Sequence, residues 1–111
     1  MLGLKDKGIL LQIIKRCNRV IEKISNISET EFSLNDEIKE VVCFNLFQIG
    51  ELANGLSVEF IKEYNKIPWK QIIGMRNRIG HGYETFNLEL VWSTAIKSIP
   101  ELKSYCKEIL G

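Results

Sequence analysis

Asp36-Glu37-Ile38-Lys39-Glu40-Val41-Val42-Cys43-Phe44-Asn45-Leu46-Phe47-Gln48-Ile49-Gly50-Glu51-Leu52-Ala53-Asn54-Gly55-Leu56 is the stretch that decides the fold. Its apolar residues recur at helical spacing and cover most of the circumference, so the segment predicts a helix that sits centrally or faces both a core and a second subunit. Ser33 and Asn35 are candidate caps, and Asp36 and Glu37 suit the positive end of a helix dipole. Asn45, Gln48 and Glu51 recur every third residue on one slowly drifting face. Polar groups on a buried helix need partners. They are either interhelical hydrogen bonds on an exposed edge or the lining of a site.

Outward from this segment the pattern stays helical. From Leu4 to Ile27, apolar residues at Ile9, Leu10, Ile13, Cys17, Val20, Ile21 and Ile24 form one stripe. Ser25-Asn26-Ile27-Ser28 then ends that helix. Ser57 caps a short helix through Tyr64, and Pro68 fits the first turn of another, with Trp69, Ile72, Ile73 and Met75 on its apolar side. Gly80 and Gly82 end it around His81. Asn87 caps a last helical region from Leu88, which Pro100 interrupts or kinks before Leu102 to Leu110. No strand alternation, repeat or linker is present. The expectation is one all-α domain over residues 1–111, an up-and-down four-helix bundle with an additional short helix.

Composition narrows the function classes. The chain has 111 residues, 45% hydrophobic and 26% charged, as in ordinary globular proteins. A chain of this size buries only about 65% of its unfolded surface, so a partner subunit adds useful burial. No apolar run reaches the ~18 residues of a membrane span, and the first residues lack a signal-peptide pattern, so a cytoplasmic protein is expected. Cys17, Cys43 and Cys106 are widely spaced and odd in number, and a single histidine is poor provision for a metal. They read as buried reduced thiols, with neither metal nor cofactor expected. The net charge of +1 conceals blocks: +4 over residues 1–27, −6 over 28–61, +4 over 62–78 and −1 over 79–111. The whole chain is not basic enough to imply nucleic-acid binding, but the second basic block ends on Arg76-Asn77-Arg78-Ile79-Gly80-His81-Gly82-Tyr83.

That segment carries the chemistry. A lone histidine is often structural, but this one lies between two glycines, five residues after Arg76 and two before Tyr83. On a straight helix Arg76 and His81 stand about 140° apart, so either the glycines bend the chain or a dimer joins Arg76 and His81 of two chains. A neutral imidazole can take the proton of a ribose 2′-hydroxyl, which then attacks the adjacent phosphorus. The Arg76 guanidinium can hold two phosphate oxygens and stabilise the charge that builds on them. The leaving 5′-oxygen needs an acid, and a two-fold dimer supplies a second His81. Asn77 either orients the imidazole or caps the helix end. Arg78 and Lys70 are candidate RNA-phosphate contacts or ordinary exposed cations, and Glu51 can pair with and position Arg76. Trp69 and Trp92 read as core rather than as base-stacking platforms.

The pattern R-x-x-x-x-H-x-Y, filled by Arg76, His81 and Tyr83, resembles the signature of HEPN-domain ribonucleases. The run Ile67-Pro68-Trp69-Lys70-Gln71-Ile72-Ile73-Gly74-Met75 leading into Arg76 is similar to the HepT branch. So are Gln48-Ile49-Gly50-Glu51-Leu52-Ala53, Val91-Trp92 and Ile99-Pro100-Glu101-Leu102. The resemblance implies a HEPN-like helical homodimer with the Arg and His of both chains in an interfacial cleft. It implies a metal-independent endoribonuclease acting on tRNA or mRNA, the toxin of a toxin–antitoxin pair. Its antitoxin is a minimal nucleotidyltransferase, MntA, that adds AMP to the motif tyrosine, here Tyr83. A nucleotide there would place bulk and negative charge beside the phosphate site. The plainer role for Tyr83 is a packing tyrosine. The alternative function is a non-catalytic helical module that docks a nucleotidyltransferase or a nucleotide.

Overall fold

The computed structural model describes residues 2–80 and 87–111. The helices are α1 (Leu4–Ile24), α2 (Glu29–Leu34), α3 (Asp36–Asn54), α4 (Val58–Glu63), α5 (Trp69–Gly80), α6 (Leu88–Ser93) and α7 (Ile99–Leu110). A π-helical turn, Thr94–Ser98, joins the last two. No strand occurs among the described residues. The all-α bundle expected from the sequence is therefore the observed architecture, with the long helices α1, α3, α5 and α7 as its staves.

The starts of α3, α4 and α6 have a local cause. The Asn35 side chain accepts from Ile38 N–H at 3.0 Å, Ser57 from Phe60 N–H at 3.1 Å, and Asn87 from Glu89 N–H at 2.9 Å. These satisfy amide donors that have no partner inside a first helical turn. Helix α1 stops at Ile24 rather than Ile27, because the chain turns through Asn26 at φ 67°, a left-handed conformation that asparagine tolerates. The short α2 was not anticipated. A capping box builds it: Ser28 Oγ accepts from Glu31 N–H at 3.1 Å, and the Glu31 carboxylate accepts from Ser28 N–H at 3.2 Å. Helix α2 earns its place by burying Phe32 completely against Trp92, ring centroids 5.3 Å apart.

Helix α3 packs between α1 and α5, and α7 closes back onto α1. The stripe Leu10, Ile13, Cys17, Val20 and Ile24 of α1 meets Val42, Cys43, Leu46, Ile49 and Ala53 of α3 in one core. Trp69 belongs to it at 2% exposure, its indole N–H donating to Tyr64 O at 2.9 Å. Pro100 does not break the last helix. Ile99 N–H reaches back to Thr94 O, five residues away, and this wider turn lets the proline enter as the second residue of α7. Helices α5 and α7 face each other across a cavity of about 240 Å³.

The three cysteines are buried and free. Burial pushes the Cys17 and Cys106 thiols up to about 12 and Cys43 up to about 11, so they pack as small apolar groups. None of the described helices is long and apolar enough to cross a membrane.

Candidate active site

The site is organised by the crossing of α3 and α5. Arg76 lies one turn before the end of α5, and its Nη1 sits 3.5 Å from Glu51 Oε1 on α3. The two side chains are 30% and 47% exposed, so the pair lies at the surface and a phosphate in solution can reach the guanidinium. Its inner nitrogen is different: Arg76 Nε is buried and has no hydrogen-bond partner among the described residues. The guanidinium is thus buried at its inner nitrogen and partly open at its tip.

The crossing is close because position 50 has no side chain. A Cβ added to Gly50 would lie 3.0 Å from Arg76 N, 3.0 Å from Ile72 O and 3.2 Å from Arg76 Cβ. The sequence reading gave Gly50 no role of its own. The available signal was a glycine inside an otherwise strong helical pattern, which often marks a close approach.

The polar stripe of α3 resolves into two uses. Asn45, 2% exposed, donates to Val41 O at 2.8 Å and accepts from Arg16 Nη1 at 3.3 Å, so it serves as an interhelical hydrogen bond. The same Arg16 guanidinium lies 5.5 Å from the ring centre of Phe44, which is 54% exposed. Glu51, two turns further along, serves Arg76. The pairing of Glu51 with Arg76 is therefore found where the sequence placed it.

Other candidates are spread out. Asn77 is exposed beside Arg76, and Lys70 is exposed in the first turn of α5. Arg78 is exposed and lines the cavity between α5 and α7, with Met75 and Tyr105, and so does not share the Arg76–Glu51 surface. Trp69 and Trp92 pack into the helical layers as expected. His81 and Tyr83 lie outside the described residues; α5 delivers the chain directly to them at Gly80. Among the described residues no three His, Cys, Asp or Glu side chains converge as a metal site.

Arg76 thus stands on α5 of an all-α bundle, five residues before His81 in the sequence. Residues 11–109 match the family model described as ribonuclease HepT-like, and the chain belongs to that family. It is 37% identical over 101 residues to a candidate RNase of Caldanaerobacter subterraneus subsp. tengcongensis, covering 91% of this chain and 90% of that one. A candidate RNase of Methanocaldococcus jannaschii is 31% identical over 97 residues, 87% of this chain and 89% of the relative. A probable ribonuclease HepT of Thermococcus cleftensis is 26% identical over 97 residues, 87% and 88% of the two chains. No solved structure gives a significant match.

Proposed function

We propose that the protein is a metal-independent endoribonuclease whose Arg76 and His81 act together at a site shared by two chains. The observation that carries this reading is the exposed tip of Arg76, held at the α3–α5 crossing on the helix that runs directly into His81. Membership of a ribonuclease family supports the same chemistry.

The reaction is transesterification. His81 as base takes the 2′-hydroxyl proton, the 2′-oxygen bonds to phosphorus, and the P–O5′ bond breaks as the leaving oxygen gains a proton from an acid. The second His81 of a two-fold dimer is the available acid. Arg76 binds the non-bridging oxygens and offsets their growing charge. The products are a 2′,3′-cyclic phosphate and a 5′-hydroxyl. Glu51 positions Arg76, Asn77 steadies His81, and Lys70 and Arg78, the latter on a different face of α5, contact phosphates of tRNA or mRNA away from the cut bond.

In the cell this activity is that of a toxin held by an MntA-like nucleotidyltransferase antitoxin, which blocks the site by transferring AMP from ATP to the Tyr83 hydroxyl with release of pyrophosphate. Purified protein should cut RNA in excess EDTA and leave the cyclic phosphate; His81→Ala should abolish cutting, and Arg76→Ala should leave only a slow residual rate that single-turnover assays still read. Cleavage that depends on added magnesium, or that survives His81→Ala, overturns the mechanism. Expression without the antitoxin should arrest growth. Normal growth with no RNA cleavage would instead favour a non-catalytic module that docks a nucleotidyltransferase or nucleotide.

A further inference from the structure

We infer that Gly50 is a positioning residue for Arg76: the missing side chain at this point of α3 sets the height and angle at which the guanidinium leaves α5. The inference rests on the catalytic role given above to Arg76.

Helix propensity alone favours alanine over glycine at an interior helical position. Gly50 is buried in the second turn from the end of α3, and its φ is not the left-handed one that would call for glycine. The reason for glycine is therefore outside its own helix. Two of the three atoms that a Cβ would meet, Arg76 N and Ile72 O, are backbone atoms of α5 at 3.0 Å. No rotamer change relieves such contacts; α5 must move as a body. The third is Arg76 Cβ at 3.2 Å, the first atom of the side chain whose placement matters.

The consequence falls on one residue. At this close approach the first atoms of Arg76 lie against α3, its Nε is buried, and Nη1 lies beside Glu51 at 3.5 Å. A rooted guanidinium loses little freedom when it engages a phosphorane, which is how pre-organisation lowers a barrier. Lifting α5 by several tenths of an ångström unseats Nε and carries the terminal nitrogens away from the phosphate. Ground-state RNA binding draws on several cations and is affected less, so the expected loss is in kcat rather than KM.

The test compares Gly50→Ala, Arg76→Ala and the double variant in single-turnover RNA cleavage, with exchange of the Arg76 Nε–H followed by NMR. Gly50→Ala should lower kcat about 10-fold, since misplacement of about 1 Å can cost up to about 100-fold, with KM within about 2-fold. In the Arg76→Ala background the same change should cost nothing further, and Nε–H exchange should accelerate in Gly50→Ala. An equal cost in both backgrounds, or unchanged Nε–H exchange, overturns the inference and leaves Gly50 a packing residue. Should Arg76→Ala itself cut like wild type, the ribonuclease mechanism fails, while Nε–H exchange still decides whether Gly50 seats Arg76. Should Gly50→Ala not fold, wild type decides: a protected Nε–H with a nuclear Overhauser contact from Gly50 Hα to the Arg76 amide supports the seat, and free exchange overturns it.

Discussion

Arg76 and Glu51 meet across the α3–α5 crossing, Nη1 to Oε1 at 3.5 Å, with both side chains partly in water. An ion pair so exposed adds at most about 1 kcal/mol to stability, so its value lies in geometry. In the proposed mechanism the carboxylate holds the guanidinium tip while the site is empty and yields it to phosphate. Glu51→Ala should therefore lower kcat about 10-fold, in the range of a lost positioning contact, while costing less than about 1 kcal/mol in a urea titration. Glu51→Gln keeps an acceptor and should retain most activity. Wild-type kinetics in both variants would remove Glu51 from the site.

Asp6 supplies a stability prediction independent of the site. This carboxylate is 8% exposed and accepts from both Ser57 N–H at 2.9 Å and Ser57 Oγ–H at 2.7 Å, tying the start of α1 to the cap of α4. Asp6→Ala leaves those two donors without an acceptor, at a cost of about 1–3 kcal/mol. Ser57→Ala, which removes the cap of α4 and one of the two bonds, should cost about 1 kcal/mol. Both are read from urea midpoints, and both variants should cut RNA normally where folded. A midpoint unchanged by Asp6→Ala would show the contact to be incidental.

The cysteines predict a pH limit. Desolvation holds the folded thiols of Cys17 and Cys106 at about 12 and Cys43 at about 11, against 9.0 unperturbed. Raised values favour the protonated form in the fold, so this contribution to stability is complete below pH 9.0 and is lost as pH climbs toward 11 and 12. Urea midpoints should accordingly fall above that pH, and less so in Cys17→Ala. At pH 8 iodoacetamide should label none of the three thiols in native protein and all three in denaturant. Rapid native labelling would contradict the burial.

The sequence made the helices legible wherever a cause was local. Asn35, Ser57 and Asn87 cap where their side chains suggested, and the α1 stripe is buried as its spacing required. Helix α2 was equally local in origin, but Ser28 and Glu31 lie in a polar stretch whose only large apolar anchor, Phe32, gains its meaning from distant Trp92. Gly50 and Asp6 belong to the same kind. Each looks ordinary in its own helix and acquires a role only when α5 or α4 arrives beside it. The wide turn before Pro100 is a further case, since periodicity signals a disturbance there but not its form. At the site, complementary charge made Glu51 a candidate partner for Arg76, but their meeting at 3.5 Å and the separation of Arg78 from that surface required the placed helices.

Sharing of the site between chains gives the last prediction. One histidine per chain cannot act as base and acid on the same phosphate in one step, and Arg76 and His81 do not share a face on a straight helix. If Arg76 of one protomer serves His81 of the other, two defective variants complement each other. Arg76→Ala and His81→Ala chains, carrying different tags, are denatured together, refolded and purified through both tags. The mixed dimer retains one intact Arg76 opposite one intact His81 and should cut RNA well above either parent dimer. It should stay below wild type, because its second histidine is missing and water must serve as the acid. Were the mixed dimer as inactive as its parents, a dimer of wild-type and His81→Ala chains decides the reason: inactivity there means that both histidines are required, whereas activity places each Arg76 with the His81 of its own chain, joined by a bend at the glycines around His81.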